Sequence, residues 1–271
     1  MLSEDEPLTL TQYIKLYGQF MKNGIIREMM FRWNFIIRIT TELFWLAASL
    51  LFWQIMFISI HHIAGWSKYE VYLLVGTGHL IHQAFEGIFF NNIVQIPENI
   101  RTGNLDFYLT KPVHSQFLVS TRYIDLGAIA NILVGFGIVG YSLWHLNASL
   151  TLFRTIAYLV LCVNGILLYY SILFTLMTIS FWIVRADGVI GVYFNVINFS
   201  RQPADIYKGL FKFFLIFVFP MLVTLNFPVQ ALVKSLSLPY MAWALFVGTL
   251  SFWLSSKFWH FGIRHYSSAS S

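Results

Sequence analysis

Between Ala157 and Ile183 the chain runs without an Asp, Glu, Lys or Arg, and no other feature limits its possible folds so strongly. A helix of about 20 apolar residues crosses the hydrocarbon core of a bilayer. Exposed to water, the same stretch would present apolar surface with nothing to cover it. Comparable runs recur along the chain, with charges gathered at their ends. Of all residues 58% are hydrophobic and 11% charged, against about 25% charged in an ordinary soluble domain. Mean hydropathy is +0.67. The fold class read from this is an all-α polytopic membrane protein. The formal net charge of +5 carries no nucleic-acid signal, because the basic residues flank the apolar runs. Cys162 is the single cysteine, so no disulfide forms within the chain. The start, Met1 to Pro7, is acidic and lacks the apolar core of a cleavable signal peptide.

Taken in order, residues 10–32 alternate apolar and basic side chains at helical spacing. Tyr13, Ile14, Tyr17, Phe20, Met21 and Ile25 share a face that Lys15, Lys22 and Arg27 avoid, the pattern of a helix lying in the membrane interface. Six spans are expected, at about 37–60, 71–93, 124–144, 157–183, 210–225 and 241–258. This divides the chain into an N-terminal segment 1–36, a transmembrane domain 37–258 and a C-terminal tail 259–271. The apolar piece 189–199 is too short to cross alone. Pro220 predicts a kink in the fifth span near Phe219. Residues 226–238 read as a short re-entrant piece or an outer loop. Of the 17 Lys and Arg residues, this topology leaves only Lys68, Arg154 and Lys234 outside and 14 inside. Both termini are therefore expected in the cytoplasm.

Chemistry-bearing motifs are sparse. No G-x-x-x-x-G-K-[ST] loop, H-E-x-x-H or paired C-x-x-C occurs, so nucleotide is not bound here by a P-loop and no catalytic residue or cofactor site is expected. His61 and His62 stand side by side, but stable metal sites need three or four ligands, and no metal is expected. The second span is different. His79, His82, Gln83 and Glu86 are separated by three, four and seven positions and share one helical face. An ionised Glu86 facing lipid costs about 3 kcal/mol, so this face looks into the bundle or a wet cavity. Two readings fit it equally: a lining of the transport pathway, or a structural cluster near the inner headgroups. Other intramembrane polar residues are Glu42, Gln54, Asn131 and Asn164.

The segment leaving the second span, 95–104, is polar. Pro97 suits the first turn of a helix, and Gly103 suits the position just past its end. A helix of one or two turns is predicted there, presented to the cytoplasm. The continuation from Ile100 to Pro112, with Gly103, Leu105, Asp106, Leu109, Lys111 and Pro112 in the G-x-L-D-x-x-L-x-[KR]-P pattern, resembles the segment after the second span of type-2 ABC transporter permeases. Pro203, Ile206, Tyr207, Pro220, Pro228 and Leu232 are similar to the pattern in the second half of the same group.

The resemblance covers essentially the whole chain. It implies the permease subunit of a bacterial inner-membrane exporter, paired with an identical or sister permease, with two separate ATPase subunits below that carry ATP and Mg. It implies that Pro97, Glu98, Asn99, Arg101 and Thr102 form a coupling helix docking on the ATPase. It further gives the second and fifth spans to the pathway, with His79, His82, Gln83, Glu86, Asn131 and Pro220 as candidates. Residues 226–238, brief and carrying Lys234, depart from the outer re-entrant helices of the group. The alternative reading is a proton-coupled secondary transporter using His82 and Glu86, against which stands the lack of an inverted repeat.

Overall fold

The computed structural model describes residues 9–30, 32–183 and 187–266. The acidic start, the connection holding Arg185 and the end of the C-terminal tail lie outside them. Among the described residues the regular secondary structure is helical, with an isolated bridge pairing Ile63 with Trp66.

Helix α1 (Leu10–Met30) lies where the interfacial segment was expected. Helix α2 (Arg32–Ser59) follows, and α3 (Lys68–Phe85) begins with a capping box in which the Glu70 carboxylate accepts from the Ser67 N–H at 2.7 Å. Helix α3 widens into a π turn at Glu86–Phe90 and ends at Asn91–Ile93. Short helices α4 (Ile96–Arg101), α5 (Asp106–Leu109) and α6 (Ser115–Thr121) lead to α7 (Leu126–His145) and α8 (Leu152–Thr178). The second half comprises α9 (Asp187–Asn198), α10 (Gly209–Phe213, prolonged as a π turn to Val218), α11 (Met221–Val233) and α12 (Leu238–Ile263).

Among the described residues four helices are long and apolar enough to cross a membrane: Phe35–Ser59, Leu126–His145, Leu152–Phe181 and Leu238–Ile263. The pair Gly209–Val218 and Met221–Val233, bent by 91°, would make a fifth if it is one span. The continuous helix 68–93 has the length but carries His79, His82, Gln83, Glu86, Asn91 and Asn92, and it is among the most buried elements. Its polar content is sheltered by neighbouring helices and so escapes a hydropathy test.

The expected fifth span differs most. Pro220 does not merely kink a helix, because it stands at a right-angle break. The pieces 210–225 and 226–238 are therefore divided wrongly by sequence: residues 221–233 form one almost fully buried helix with Pro228 inside it. Two contacts locate the ends of this hairpin. Before it, Asp205 accepts from Trp66 Nε1 at 2.8 Å and from Lys212 Nζ at 2.6 Å. After it, Lys234 donates to Gly65 O at 3.0 Å and lies 4.1 Å from the Trp66 ring centroid. Both ends thus reach the connection between α2 and α3, at the same end of the bundle. Residues 209–233 therefore form a bent hairpin whose second arm, 221–233, is buried while the first is largely exposed.

Close approach of α8 and α11 depends on Gly165, where an added Cβ would lie 2.6 Å from the Thr224 carbonyl oxygen and 3.0 Å from Ile81 Cδ1. The nearest obstacle is backbone and cannot rotate away. Gly165→Ala is expected to destabilise by about 2 kcal/mol through overpacking. Gly137→Ala, with nothing within 4 Å, should melt at or slightly above the wild-type temperature, because alanine favours a helix. Thermal unfolding of the two purified variants checks the contrast.

Candidate functional site

The polar face of α3 meets α2 and the start of α7. On α2, Arg38 and Glu42 are one turn apart, as are His82 and Glu86 on α3. The facing turns pair, with Gln83 Nε2 donating to Glu42 Oε2 at 2.8 Å and Arg38 donating to Glu86 Oε1 at 3.2 Å. His82 Nε2 lies 3.5 Å from Glu86 Oε2. Arg38 also forms an ion pair with Asp125 and reaches Asn91 Oδ1 at 3.4 Å. Asn91 Nδ2 in turn donates to Asp125 Oδ2 at 3.1 Å.

Asp125 is only 2% exposed and also caps α7, its Oδ1 accepting from the Ala128 N–H at 3.1 Å. Its own N–H donates to Gly87 O at 2.8 Å, inside the π turn. Such a turn displaces carbonyls from the regular ladder, and here one of them ties α7 to α3. Asn92 adds a two-way clamp, donating to Tyr123 O and accepting from Tyr123 N, both at 2.7 Å.

Above this network is a cavity of about 320 Å³, lined by Glu42, Trp45, His79, His82, Phe194 and Arg201 among others. The walls mix two aromatic rings with carboxylate, imidazole and guanidinium, so the space suits a group with both apolar and polar faces. His79 Nε2 contacts Asn131 O at 3.2 Å. Several buried atoms have no hydrogen-bond partner among the described residues: His82 Nδ1, Gln83 Oε1, Glu86 Oε2 and Asn131 Nδ2.

His79, His82, Gln83 and Glu86 therefore come together as their spacing predicts. Asn131 touches His79 through its backbone carbonyl, and its side chain is 1% exposed. Pro220 stands at the break before α11 and is not among the residues lining the cavity. Arg38, Asn91, Asp125 and Arg201 belong to the site and were not singled out for it from sequence. The i, i+4 pairing of Arg38 with Glu42, mirroring His82 with Glu86, was the available signal.

Two residues past the C-terminal end of the helix 68–93, α4 begins. Ile96 is fully buried, and Ile100 packs partly buried on the main core. Pro97 stands in the first turn, and Gly103 follows the helix at φ +75°, a left-handed conformation that glycine adopts without strain. Glu98 and Arg101 face outward, with side chains 58% and 59% exposed, and they pair with each other at 2.7 and 2.9 Å. Thr102 Oγ1 donates to Glu98 O at 2.8 Å, and Asn99 O accepts from the Leu105 N–H at 3.0 Å.

A helical bundle with apolar spans, a sheltered polar face and an outward helix at one end defines a multi-pass membrane protein. The family model described as ABC-2 family transporter protein matches residues 43–270. The chain belongs to that family, whose members are the membrane subunits of ABC transporters. No curated protein matches it, and no solved structure does.

Proposed function

We propose that the chain is the permease subunit of an ATP-binding cassette exporter, moving its substrate across a bacterial inner membrane. Energy comes from two copies of a separate ATPase that bind ATP and Mg, and a second permease, identical or sister, completes the membrane part. The observation carrying this reading is α4: a short helix with a buried Ile96 and an exposed Glu98–Arg101 pair. Only two residues, Val94 and Gln95, separate it from the helix bearing the polar cavity wall. Pro97, Glu98, Asn99, Arg101 and Thr102 form the docking surface, and the cavity flanked by His79, His82, Gln83 and Glu86 forms part of the pathway.

Six crossings with both termini in the cytoplasm agree with this arrangement if the fifth is residues 187–205. That segment leaves the end of α8 that α4 packs near and reaches Trp66 at the opposite end. The hairpin 209–233 then re-enters from outside. Counting Lys208 and Lys212 outside still leaves the excess of basic residues inside. Co-expression with an adjacent ATPase gene is expected to yield a copurifying complex with vanadate-sensitive ATP hydrolysis. A permease that purifies alone under those conditions, with no stimulated hydrolysis, would refute the assignment.

A further inference from the structure

At the inner edge of the cavity, Glu42, His82 and Glu86 each offer a ligand atom, and these atoms all lie within 4.8 Å of one another. We propose that the three residues bind a divalent transition-metal cation, tying α2 to α3. This departs from the sequence expectation of no metal, which rested on the lack of H-E-x-x-H and paired C-x-x-C motifs and on the outer His61-His62 pair.

The geometry supports it in three ways. His82 and Glu86, one helical turn apart, place Nε2 and Oε2 at 3.5 Å. Two ligands of one tetrahedral ion, with bonds of about 2.0–2.2 Å, sit about 3.4 Å apart. Next, the atoms such an ion would use are left over by the rest of the site. Arg38 engages Glu86 through Oε1, while Glu86 Oε2 is buried with no hydrogen-bond partner among the described residues. Finally, Gln83 is completely buried beside Glu42, with its amide nitrogen on Glu42 Oε2 and its Oε1 unpartnered. That oxygen, on the amide that holds Glu42, is available to a metal-bound water.

The donor set narrows the class of ion. One imidazole with two carboxylates suits Zn²⁺, Mn²⁺ or Fe²⁺ and lacks the thiolate or thioether that would select Cu⁺. Three protein ligands leave a fourth position open. Glu42 and His82 both line the cavity, so this position faces it. Arg38 and Arg201 are the cations nearby, and Arg38 is already shared with Asp125.

The test uses the full chain without a polyhistidine tag, purified in detergent, stripped with chelator and titrated with Co²⁺ followed by Zn²⁺. One Co²⁺ per chain is expected, with the visible absorption of a low-coordinate site, displaced by Zn²⁺. Glu42→Gln and Glu86→Gln should each bind at least tenfold more weakly. Glu42→Cys exchanges one ligand for another, so it should retain Co²⁺ and gain a sulfur-to-metal charge-transfer band absent from wild type. A misfolded variant cannot mimic that gain. The double variant His61→Ala/His62→Ala should bind as wild type does. The proposal is overturned if wild type binds no more tightly than Glu42→Gln, if monodisperse Glu42→Cys shows no such band, or if the His61/His62 variant loses the ion.

Discussion

Arg38→Met is expected to be the most damaging single change at the site, costing about 3 kcal/mol. Arg38 is the cation common to Glu86 and Asp125, and it also touches Asn91. Breaking a buried ion pair from one side costs about 3–5 kcal/mol, because the remaining charge stays buried and uncompensated. Two facts put this case at the low end. The Arg38 side chain is 37% exposed, so part of its field is screened. Asp125 also keeps the Asn91 amide and the Ala128 N–H as donors.

Removing Asp125 as well should hurt less than removing Arg38 alone, since the most buried carboxylate is then no longer left charged and only Glu86 lacks its cation. Arg38→Met/Asp125→Asn is thus expected to recover much of the loss, helped by asparagine's own strength as an N-cap. Arg38→Lys should fall between them, because an ammonium keeps the charge but cannot span two carboxylates as a planar fork does. Melting temperatures of the four proteins in one detergent settle the order. If Arg38→Met melts with wild type, the network does not hold α2, α3 and α7 together.

How much of this site sequence could reveal follows from which interactions are local. Helical spacing alone put His79, His82, Gln83 and Glu86 on one face, because three- and four-residue separations fix side-chain directions within one element. It could not pair Arg38 with Asp125, which are far apart in the chain and meet only through the packing of α2 on α7. Read singly, Arg38 is an ordinary inner-end anchor and Asp125 an ordinary start of a span. Both descriptions are true and incomplete.

The hairpin 209–233 was obscured for a different reason. A bent apolar hairpin has the same apolar composition as a straight membrane span, so hydropathy treats 210–225 as one. The distinguishing facts are the contacts of Asp205 and Lys234 with the turn at Trp66, separated from it by well over a hundred residues. Conversely, α4 was legible in detail. Its limits depend on Pro97 and Gly103, whose backbone preferences act locally.

Exchanging the charges of α4, Glu98→Arg together with Arg101→Glu, is expected to abolish ATP hydrolysis stimulated by the permease and leave the permease folded. In the wild type these side chains form a bidentate pair with each other, one turn apart and more than half exposed. Such a pair adds only about 0.3–0.5 kcal/mol to a helix, and the swap preserves it in reverse order. It does place a base in the first turn and an acid in the last, and the helix dipole disfavours each by about 0.3–1 kcal/mol. Folding therefore changes by at most about 2 kcal/mol. A docked ATPase would instead meet both charges inverted, and like-charge contacts across an interface cost several kcal/mol. The readouts separate: the melting temperature should shift by a few degrees at most, while copurification of the ATPase and vanadate-sensitive turnover should be lost. Alanine at both positions gives the intermediate case, weakening docking without repulsion. If the swapped permease retains full turnover, α4 is not where the ATPase binds, and energy must enter through a different cytoplasmic surface.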